Sequence, residues 1–292
     1  MKIAIIGLGL IGGSIAKDIK NKNLATKIIG LDRSRENINY ALNQGIIDEV
    51  ASSYYELSDS EYIILTVPVN VIKKDICDIL DSMHPDTTLF DVASCKSEIA
   101  KATNGHIRRK NYVSCHPMSG TEFSGPENAM TNLFNGKVNI ICDKELSGLV
   151  HLNKVQLILS ELGMETVYMT SEVHDNYIAF ISHLPHVLAF ALANTIVNTK
   201  DFEKMLLLSG GGFKTSIRLA HSSASMWAPI FEQNKSATGK AIDLFIDELT
   251  KMKSSLSNCS DSEKLIKSAN VVTIKLKEIE NNKHKKKCYE NN

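Results

Sequence analysis

A glycine-rich turn near the start of the chain constrains its fold more than any other feature. The letters GLGLIG occupy residues 7–12, directly after the apolar run Lys2–Ile6, and they open a segment with helical spacing, Leu10–Lys20. Glycines at the first, third and sixth positions allow a tight bend, close approach of a pyrophosphate, and close packing of helix on strand. The pattern predicts a strand–turn–helix unit that binds a dinucleotide.

An acidic residue stands where the ribose of a dinucleotide is expected. Asp32 lies 20 residues after Gly12 and follows a second apolar run, Lys27–Leu31. A carboxylate there accepts from the ribose 2′-hydroxyl and repels a 2′-phosphate, so NAD is favoured over NADP. Arg33 weakens that preference, because a guanidinium can meet a phosphate. The predicted cofactor-binding residues are Gly7, Gly9, Leu10, Ile11, Gly12, Asp32, Arg33, Val67, Pro68 and Ser94.

Alternating strand and helix patterns continue to about residue 169. Further continuous apolar runs occur at Tyr62–Val67, Thr88–Val92, Tyr112–Cys115 and Val138–Cys142. Such runs, separated by helical segments, indicate parallel strands covered on both faces. The predicted fold class is α/β, with a Rossmann-type, doubly wound, mostly parallel sheet over residues 1–168, which would form the NAD-binding domain.

The second half of the chain has few strand signals after Ser171. Ile178–Val197 is apolar on most faces, which is typical of a helix buried between subunits. Pro185 lies inside this helix and is predicted to kink it. We therefore predict an all-α substrate and dimerisation domain over residues 169–282, followed by a polar, lysine-rich tail over residues 283–292.

Composition excludes several classes of partner. Lys and Arg together number 33, as do Asp and Glu, so no net charge attracts nucleic acid or an anionic membrane. The six cysteines form no CxxC pair and no zinc-enzyme motif occurs, so no metal site is predicted. No apolar stretch is expected to span a membrane. Scattered thiols favour a cytoplasmic protein, and its partner is expected to be a small molecule.

Polar residues follow two neighbouring strands of the predicted sheet. Asp91–Lys96 comes after one strand and Ser114–Glu122 after the next. Ligands of open α/β sheets bind at the carboxyl ends of the strands, so these two loops should meet near the cofactor. His116 is a candidate acid/base group, because an unperturbed pKa of about 6.5 lets it accept a proton at neutral pH. A histidine before a proline can equally be an ordinary turn residue.

Four polar residues interrupt the apolar helix of the second domain: His174, Asp175, His183 and His186. Asp175 and His186 are eleven residues apart, which places them on one face of a regular helix. His183 fits a satisfied interface histidine as well as a site residue. Arg218 follows a run of three glycines and suits a bidentate carboxylate clamp, with a surface salt bridge as the alternative.

Together these motifs resemble the prephenate/arogenate dehydrogenase family of tyrosine biosynthesis. The resemblance runs from Met1 to about Phe231. It is carried by GLGLIGGS (7–14), DVASCK (91–96), HPMSGTEFSG (116–125), HDNYIAFISHLPH (174–186) and SGGGFKTSIRLAHSSASMW (209–227). The first stretch is common to dinucleotide-binding enzymes, whereas the last three in this order point to the family.

The resemblance implies NAD-dependent oxidative decarboxylation of prephenate to 4-hydroxyphenylpyruvate by a homodimer joined through its helical domain. It implies a catalytic role for three residues: His116 as the base, Ser94 as the residue that orients it, and Lys96 as support for the polar network. The implied substrate-binding residues are Arg218, His186, Gly212, Glu122, Asp175 and Trp227. Of these, Glu122 and Asp175 are expected as ionic partners of Arg218.

Three alternatives stay open. Arogenate, which carries an amino group in place of the keto group, is the first alternative substrate. A β-hydroxyacid-type dehydrogenase is disfavoured, because such enzymes usually place a catalytic lysine on a second-domain helix and Ile178–Val197 contains none. A non-enzymatic NAD(H) sensor would need the glycine turn but neither His116 nor Arg218.

Overall fold

An eight-stranded sheet dominates the computed structural model, which describes residues 1–121 and 123–290, with side chains as far as residue 282. Its strands are β1 (Lys2–Ile6), β2 (Lys27–Leu31), β3 (Glu49–Val50), β4 (Tyr62–Leu65), β5 (Thr88–Asp91), β6 (Tyr112–Pro117), β7 (Val138–Cys142) and β8 (Glu165–Met169). Their spatial order is β3-β2-β1-β4-β5-β6-β7-β8, and only β6 and β7 pair in antiparallel fashion. The predicted fold class, a mostly parallel Rossmann-type sheet followed by helices, is confirmed.

Helices cover both faces of the sheet. They are α1 (Leu10–Asn21), α2 (Arg35–Asn43), α3 (Val69–Ser82), α4 (Ser97–Thr103) and α5 (Leu149–Glu161). Apolar residues of α1, α2 and α5 fill the core on one face, and those of α3 and α4 fill the core on the other. Because β1 and β4 are buried on both faces, their residues are apolar at nearly every position, and the sequence shows this as a continuous apolar run.

After Met169 every regular element among the described residues is a helix. The remaining helices are α6 (Ser171–Ile178), α7 (Leu184–Val197), α8 (Phe202–Leu207), α9 (Gly211–Ile217), α10 (Ala224–Gln233), α11 (Lys235–Ser255) and α12 (Cys259–Glu290). A π-helical stretch, Ala179–His183, joins α6 to α7 and ends two residues before Pro185. Proline has no N–H to donate and its ring crowds the preceding turn, so a wider turn here is the predicted distortion.

The continuous helix Ser171–Val197 bears on the expectation that no apolar stretch spans a membrane. By length and composition alone it could cross a membrane, with a mean hydropathy of 1.5 in its most apolar window. A single helix of this kind is weak evidence for a span, and 11% of its most apolar window is buried inside the protein. Four of its polar side chains make hydrogen bonds within the protein: His174, Asp175, His183 and His186.

The chain divides into two compact units, Met1–Thr238 and Gly239–Asn292. The first contains the whole sheet and all of the residues discussed below as a site. The second contains most of α11 and the whole of α12, whose backbone is helical to Glu290, where the sequence predicts a tail from residue 283. The predicted boundary between residues 168 and 169 follows the end of the sheet and stays a prediction.

Candidate active site

Two glycines of the turn between β1 and α1 are required by packing. Gly7 has φ +103°, and a Cβ there would lie 2.8 Å from the backbone carbon of Thr66. A Cβ on Gly12 would lie 2.0 Å from the carbonyl oxygen of Gly7. Gly9 differs, because a Cβ there would meet no atom within 4 Å. The turn is thus closely packed at Gly7 and Gly12, whereas the space beside Gly9 is open.

The open side of the turn meets the start of α1. The first N–H groups of a helix have no partner within the helix, and here they belong to Leu10, Ile11 and Gly12. Gly9 is the N-cap and offers no side chain to satisfy them. Unpaired N–H groups and the positive end of the helix dipole suit a phosphate. The predicted pyrophosphate cradle therefore fits this turn.

Asp32 directly follows β2 and is hydrogen-bonded to the turn. One carboxylate oxygen accepts from the N–H of Leu8 at 2.6 Å, and the other accepts from the N–H of Ser34 at 2.8 Å. The side chain is half-buried; Oδ2 also accepts from the amide of Asn37 at 3.4 Å, whereas Oδ1 keeps a lone pair for a ribose hydroxyl. Of the other predicted cofactor residues, Arg33 and Pro68 are exposed, whereas Val67 and Ser94 are half-buried.

Substitution of the closely packed Gly12 and of the open Gly9 should have different effects. We expect Gly12→Ala to destabilise the protein by about 1–3 kcal/mol, because its Cβ overlaps backbone that cannot yield easily. Gly9→Ala should leave the free energy of unfolding unchanged, yet weaken NAD+ binding by filling space in front of α1. Urea unfolding and calorimetric titration with NAD+ measure both effects. Equal stability of the two variants would contradict this interpretation.

His116 lies in β6, near the carboxyl edge of the sheet where the glycine turn also lies. Its side chain is 9% exposed, and its Nδ1 is 2.8 Å from Nε2 of His174. His174 in turn places Nδ1 2.8 Å from a carboxylate oxygen of Asp175. The sequence predicts Ser94 as the residue that orients His116. Within the described residues no hydrogen bond joins these two side chains, and His174 holds Nδ1 instead.

The surroundings of His116, His174 and Asp175 determine which of these three side chains carries a charge. Burial, together with the positive charges possible on His174 and on Lys96, lowers the pKa of His116 well below its ordinary value. Burial also lowers the pKa of His174, in spite of its hydrogen bond to Asp175. For Asp175, burial alone would raise the pKa, but hydrogen bonds from His174 and Ser97 outweigh it and leave that pKa below the usual value. At neutral pH, Asp175 is therefore an ionised carboxylate, and His116 and His174 are neutral imidazoles.

Asp175 has different partners from those expected. Its carboxylate accepts from the N–H groups of Lys96 and Ser97, at 2.9 and 2.8 Å, and from His174. It thereby binds the start of α4, where a negative charge is favoured by the helix dipole. The expected ionic pairing of Asp175 with Arg218 is replaced by this set. Glu122, the other expected partner of Arg218, lies outside the described residues.

Lys96 supports the site from the core. Its side chain is fully buried, and its ammonium binds the carboxylate of Asp91 and the carbonyl of Cys115. Asp91 also accepts from the hydroxyl of Tyr112 at 2.7 Å. The predicted support of the polar network agrees with this position. A catalytic contact of Lys96 with a ligand does not, because its ammonium has no exposed surface.

A second group of predicted residues surrounds Trp227. The ring of His186 stacks on Trp227, with 3.6 Å between centroids, and its Nδ1 donates to the carbonyl of Ser182 at 2.8 Å. Burial lowers the pKa of His186, and the positive charge of nearby Arg218 lowers it further. Arg218 is exposed and begins a 3-10 turn that packs against α7. Gly212 is exposed in α9.

His183 lies between the two groups and is fully buried. Its Nδ1 is 3.2 Å from Oγ1 of Thr238 and 3.2 Å from the amide nitrogen of Asn234, and its ring meets Trp227 edge-on. Burial lowers its pKa to about 4. Asn234 also donates to the backbone carbonyl of Asp175 at 2.8 Å. Sequence reasoning missed Asn234, because a single asparagine at a helix end carries no distinguishing signal.

Comparison with known proteins follows the same division of the chain. A family model described as "Prephenate dehydrogenase, nucleotide-binding domain" matches residues 15–168. A second, described as "Prephenate dehydrogenase, dimerization domain", matches residues 170–270. Together they extend over the sheet from β2 onward and over most of the helical region.

Individual relatives agree with these models. The chain is 29% identical to a prephenate dehydrogenase of Bacillus subtilis, over 91% of this chain and 72% of the relative. It is 28% identical to a cyclohexadienyl dehydrogenase of Zymomonas mobilis, over 88% of each. Among solved structures it is similar to prephenate dehydrogenase from A. aeolicus in complex with hydroxyphenyl propionate and NAD+. That pair has a TM-score of 0.85 and 32% identity, covering 96% of this chain and 98% of the other.

Proposed function

The chain belongs to the prephenate dehydrogenase family, and from that premise we propose that it catalyses NAD-dependent oxidative decarboxylation of prephenate to 4-hydroxyphenylpyruvate. The observation that carries the proposal is His116, a neutral histidine at the carboxyl edge of the sheet. Its Nδ1 is held by His174, so Nε2 is the atom left for a ligand. The glycine turn that fits a dinucleotide lies at the same edge.

The proposed chemistry assigns a separate task to each group. A bound NAD+ would supply the acceptor for the hydride that leaves the ring carbon carrying the hydroxyl. His116 Nε2 accepts the proton of the ring hydroxyl as the C–O bond becomes a carbonyl. The ring carboxylate leaves as CO2, the electrons of its C–C bond complete the aromatic ring, and the carbonyl oxygen becomes a phenolate oxygen that takes a proton back from His116 or from solvent. Because aromatisation drives the reaction, the protein mainly has to position its ligands and to take one proton.

We assign the remaining predicted residues to two sides of the site. Gly9, the first N–H groups of α1 and Asp32 would hold the pyrophosphate and a ribose, and Ser94 would line the nicotinamide side. The substrate side would be formed by Arg218, His186, Trp227, Gly212 and Glu122. The stacking of His186 on Trp227 and the closeness of Arg218 to His186 support this grouping.

The direct test is turnover of purified protein with prephenate and NAD+, followed by the near-ultraviolet absorbance of NADH. Arogenate in place of prephenate, and NADP+ in place of NAD+, give the ratio of kcat/KM for each pair. The name of the Zymomonas mobilis relative, a cyclohexadienyl dehydrogenase, favours testing arogenate as the second candidate substrate. Absence of reduced cofactor with both substrates would contradict the proposal.

We expect Arg218→Ala to raise the KM for prephenate by at least about tenfold, because a charge-assisted hydrogen bond to a carboxylate contributes about 1.5–3 kcal/mol. The KM for NAD+ should change little. Arg33→Ala is the matched control, since Arg33 is also an exposed arginine but lies beside the expected ribose site. An unchanged KM for prephenate in Arg218→Ala would remove the clamp from the proposal.

We propose further that the protein is a cytoplasmic homodimer joined through its helices. The match of residues 170–270 to a dimerization domain supports this, as does the exposed apolar surface of Ser171–Val197. The second compact unit also exposes large apolar residues of α12: Ile266, Val271, Val272, Ile274, Leu276 and Ile279. Among the residues whose side chains the structure describes, five cysteines are free, which suits a reducing compartment. Light scattering across a range of concentrations should give the mass of a dimer; the mass of one chain throughout would contradict this.

A further inference from the structure

Asp175, His174 and His116 form a hydrogen-bonded chain in that order. Asp175 Oδ1 is 2.8 Å from Nδ1 of His174, and Nε2 of His174 is 2.8 Å from Nδ1 of His116. His174 has no exposed surface, and Asp175 is buried as well. Water therefore does not compete for these contacts. In each of the two hydrogen bonds, the proton lies on one or the other of the two atoms that the bond joins.

The carboxylate decides which positions the protons take. An ionised Asp175 can only accept, so Nδ1 of His174 must carry a proton. A neutral imidazole has a single N–H, so Nε2 of His174 is an acceptor. His116 must then donate from Nδ1, which leaves its Nε2 without a proton. That is the form a general base needs.

The carboxylate is itself held in place from several directions. The N–H groups of Lys96 and Ser97 bind both of its oxygens, and Asn234 binds its backbone carbonyl. Lys96 is also bound to Asp91, which places a buried charge pair beside the hydrogen-bonded series of Asp175, His174 and His116. His183 completes the titratable groups close to His116. With these partners fixed, the ring of His174 cannot turn without breaking its two hydrogen bonds, to Asp175 and to His116.

We propose that His174 and Asp175 are positioning residues that keep the proton of His116 on Nδ1 and so present Nε2 as the proton acceptor. The carboxylate of a serine protease triad fixes the tautomer of its histidine by the same logic, with one imidazole fewer. Without His174, His116 can carry its proton on Nε2, and it would then donate toward the substrate hydroxyl. The catalytic part of this inference rests on the proposed function, whereas the position of the proton does not.

Two substitutions of His174 separate positioning from packing. His174→Leu removes the acceptor, whereas the side-chain carbonyl of His174→Gln can occupy about the place of Nε2 and accept from His116. We expect His174→Leu to lower kcat by at least about a hundredfold with little change in either KM, and His174→Gln to recover most of that loss. His151→Leu is the control. His151 also makes a hydrogen bond through Nδ1, to the hydroxyl of Thr88, but it lies in α5. The His151→Leu variant should therefore keep the kcat of the unmodified enzyme. Equal kcat values for the Leu and Gln variants would overturn the proposal.

A spectroscopic measurement on the unmodified protein does not depend on turnover or on the stability of variants. Nitrogen-15 NMR distinguishes protonated from unprotonated ring nitrogens, and the signals of His116 are those that His116→Asn lacks. We expect a protonated Nδ1 and an unprotonated Nε2 at neutral pH. A proton on Nε2 would overturn the inference while leaving the proposed function intact. Failure to oxidise prephenate would instead overturn the function and leave the tautomer as measured.

Discussion

His116→Asn is expected to lower kcat by at least about a hundredfold while the affinity for NAD+ stays nearly unchanged. Asparagine can place its amide nitrogen near the position of Nδ1 and so keep a hydrogen bond to His174. It has no atom at the position of Nε2, so nothing takes the proton of the substrate hydroxyl. Steady-state kinetics with prephenate and calorimetric titration with NAD+ measure the two quantities separately.

The pH dependence sharpens this prediction. Burial and the neighbouring positive charges lower the pKa of His116, so its neutral form persists at pH values below the usual histidine range of about 6.5. The kcat/KM of the unmodified enzyme should therefore fall only as pH drops through that lowered pKa, and His116→Asn should lack this acid limb. His84→Asn, which alters an exposed histidine, should behave like the unmodified enzyme. A kcat unchanged in His116→Asn would remove this residue from the mechanism.

The strands were predictable where burial on both faces leaves a continuous apolar run. For β1, β2 and β7 the predicted and observed bounds agree. Sequence reasoning missed β3, because its two residues, Glu49 and Val50, are exposed and too few to form a pattern. The antiparallel pairing of β7 was not predicted either, because strand direction depends on the path of the connecting loop and on tertiary packing.

The site was predictable residue by residue but not in its contacts. His116 and the glycine turn follow from motifs, whereas His116 and its partner His174 are 58 residues apart in the chain. Spacing along a sequence gives no distance of that kind. Asp175 and His186 would share a face only in a helix with 3.6 residues per turn throughout. The π-helical stretch Ala179–His183 lies between them and changes that phase.

The buried pair of Lys96 and Asp91 shows how strongly the position of His116 depends on the core. Asp91 ends β5 and accepts from Tyr112 and from the N–H of Cys115, both in β6. Lys96 binds the carbonyl of Cys115, the residue before His116. Two charges without exposed surface are thus neutralised by each other and by hydrogen bonds from the strand that carries His116.

Lys96→Met is therefore expected to destabilise the protein by about 3–5 kcal/mol, because it leaves the carboxylate of Asp91 buried without its counter-charge. The double variant Lys96→Met/Asp91→Asn should recover part of that loss, since the uncompensated charge is gone. Lys101→Met removes an exposed lysine paired with Glu98 and should not change stability measurably. Urea unfolding at neutral pH ranks the three. If Lys96→Met were as stable as the Lys101→Met control, the buried pair would not hold β5 and β6 together. The position of His116 would then have to depend on His174 alone.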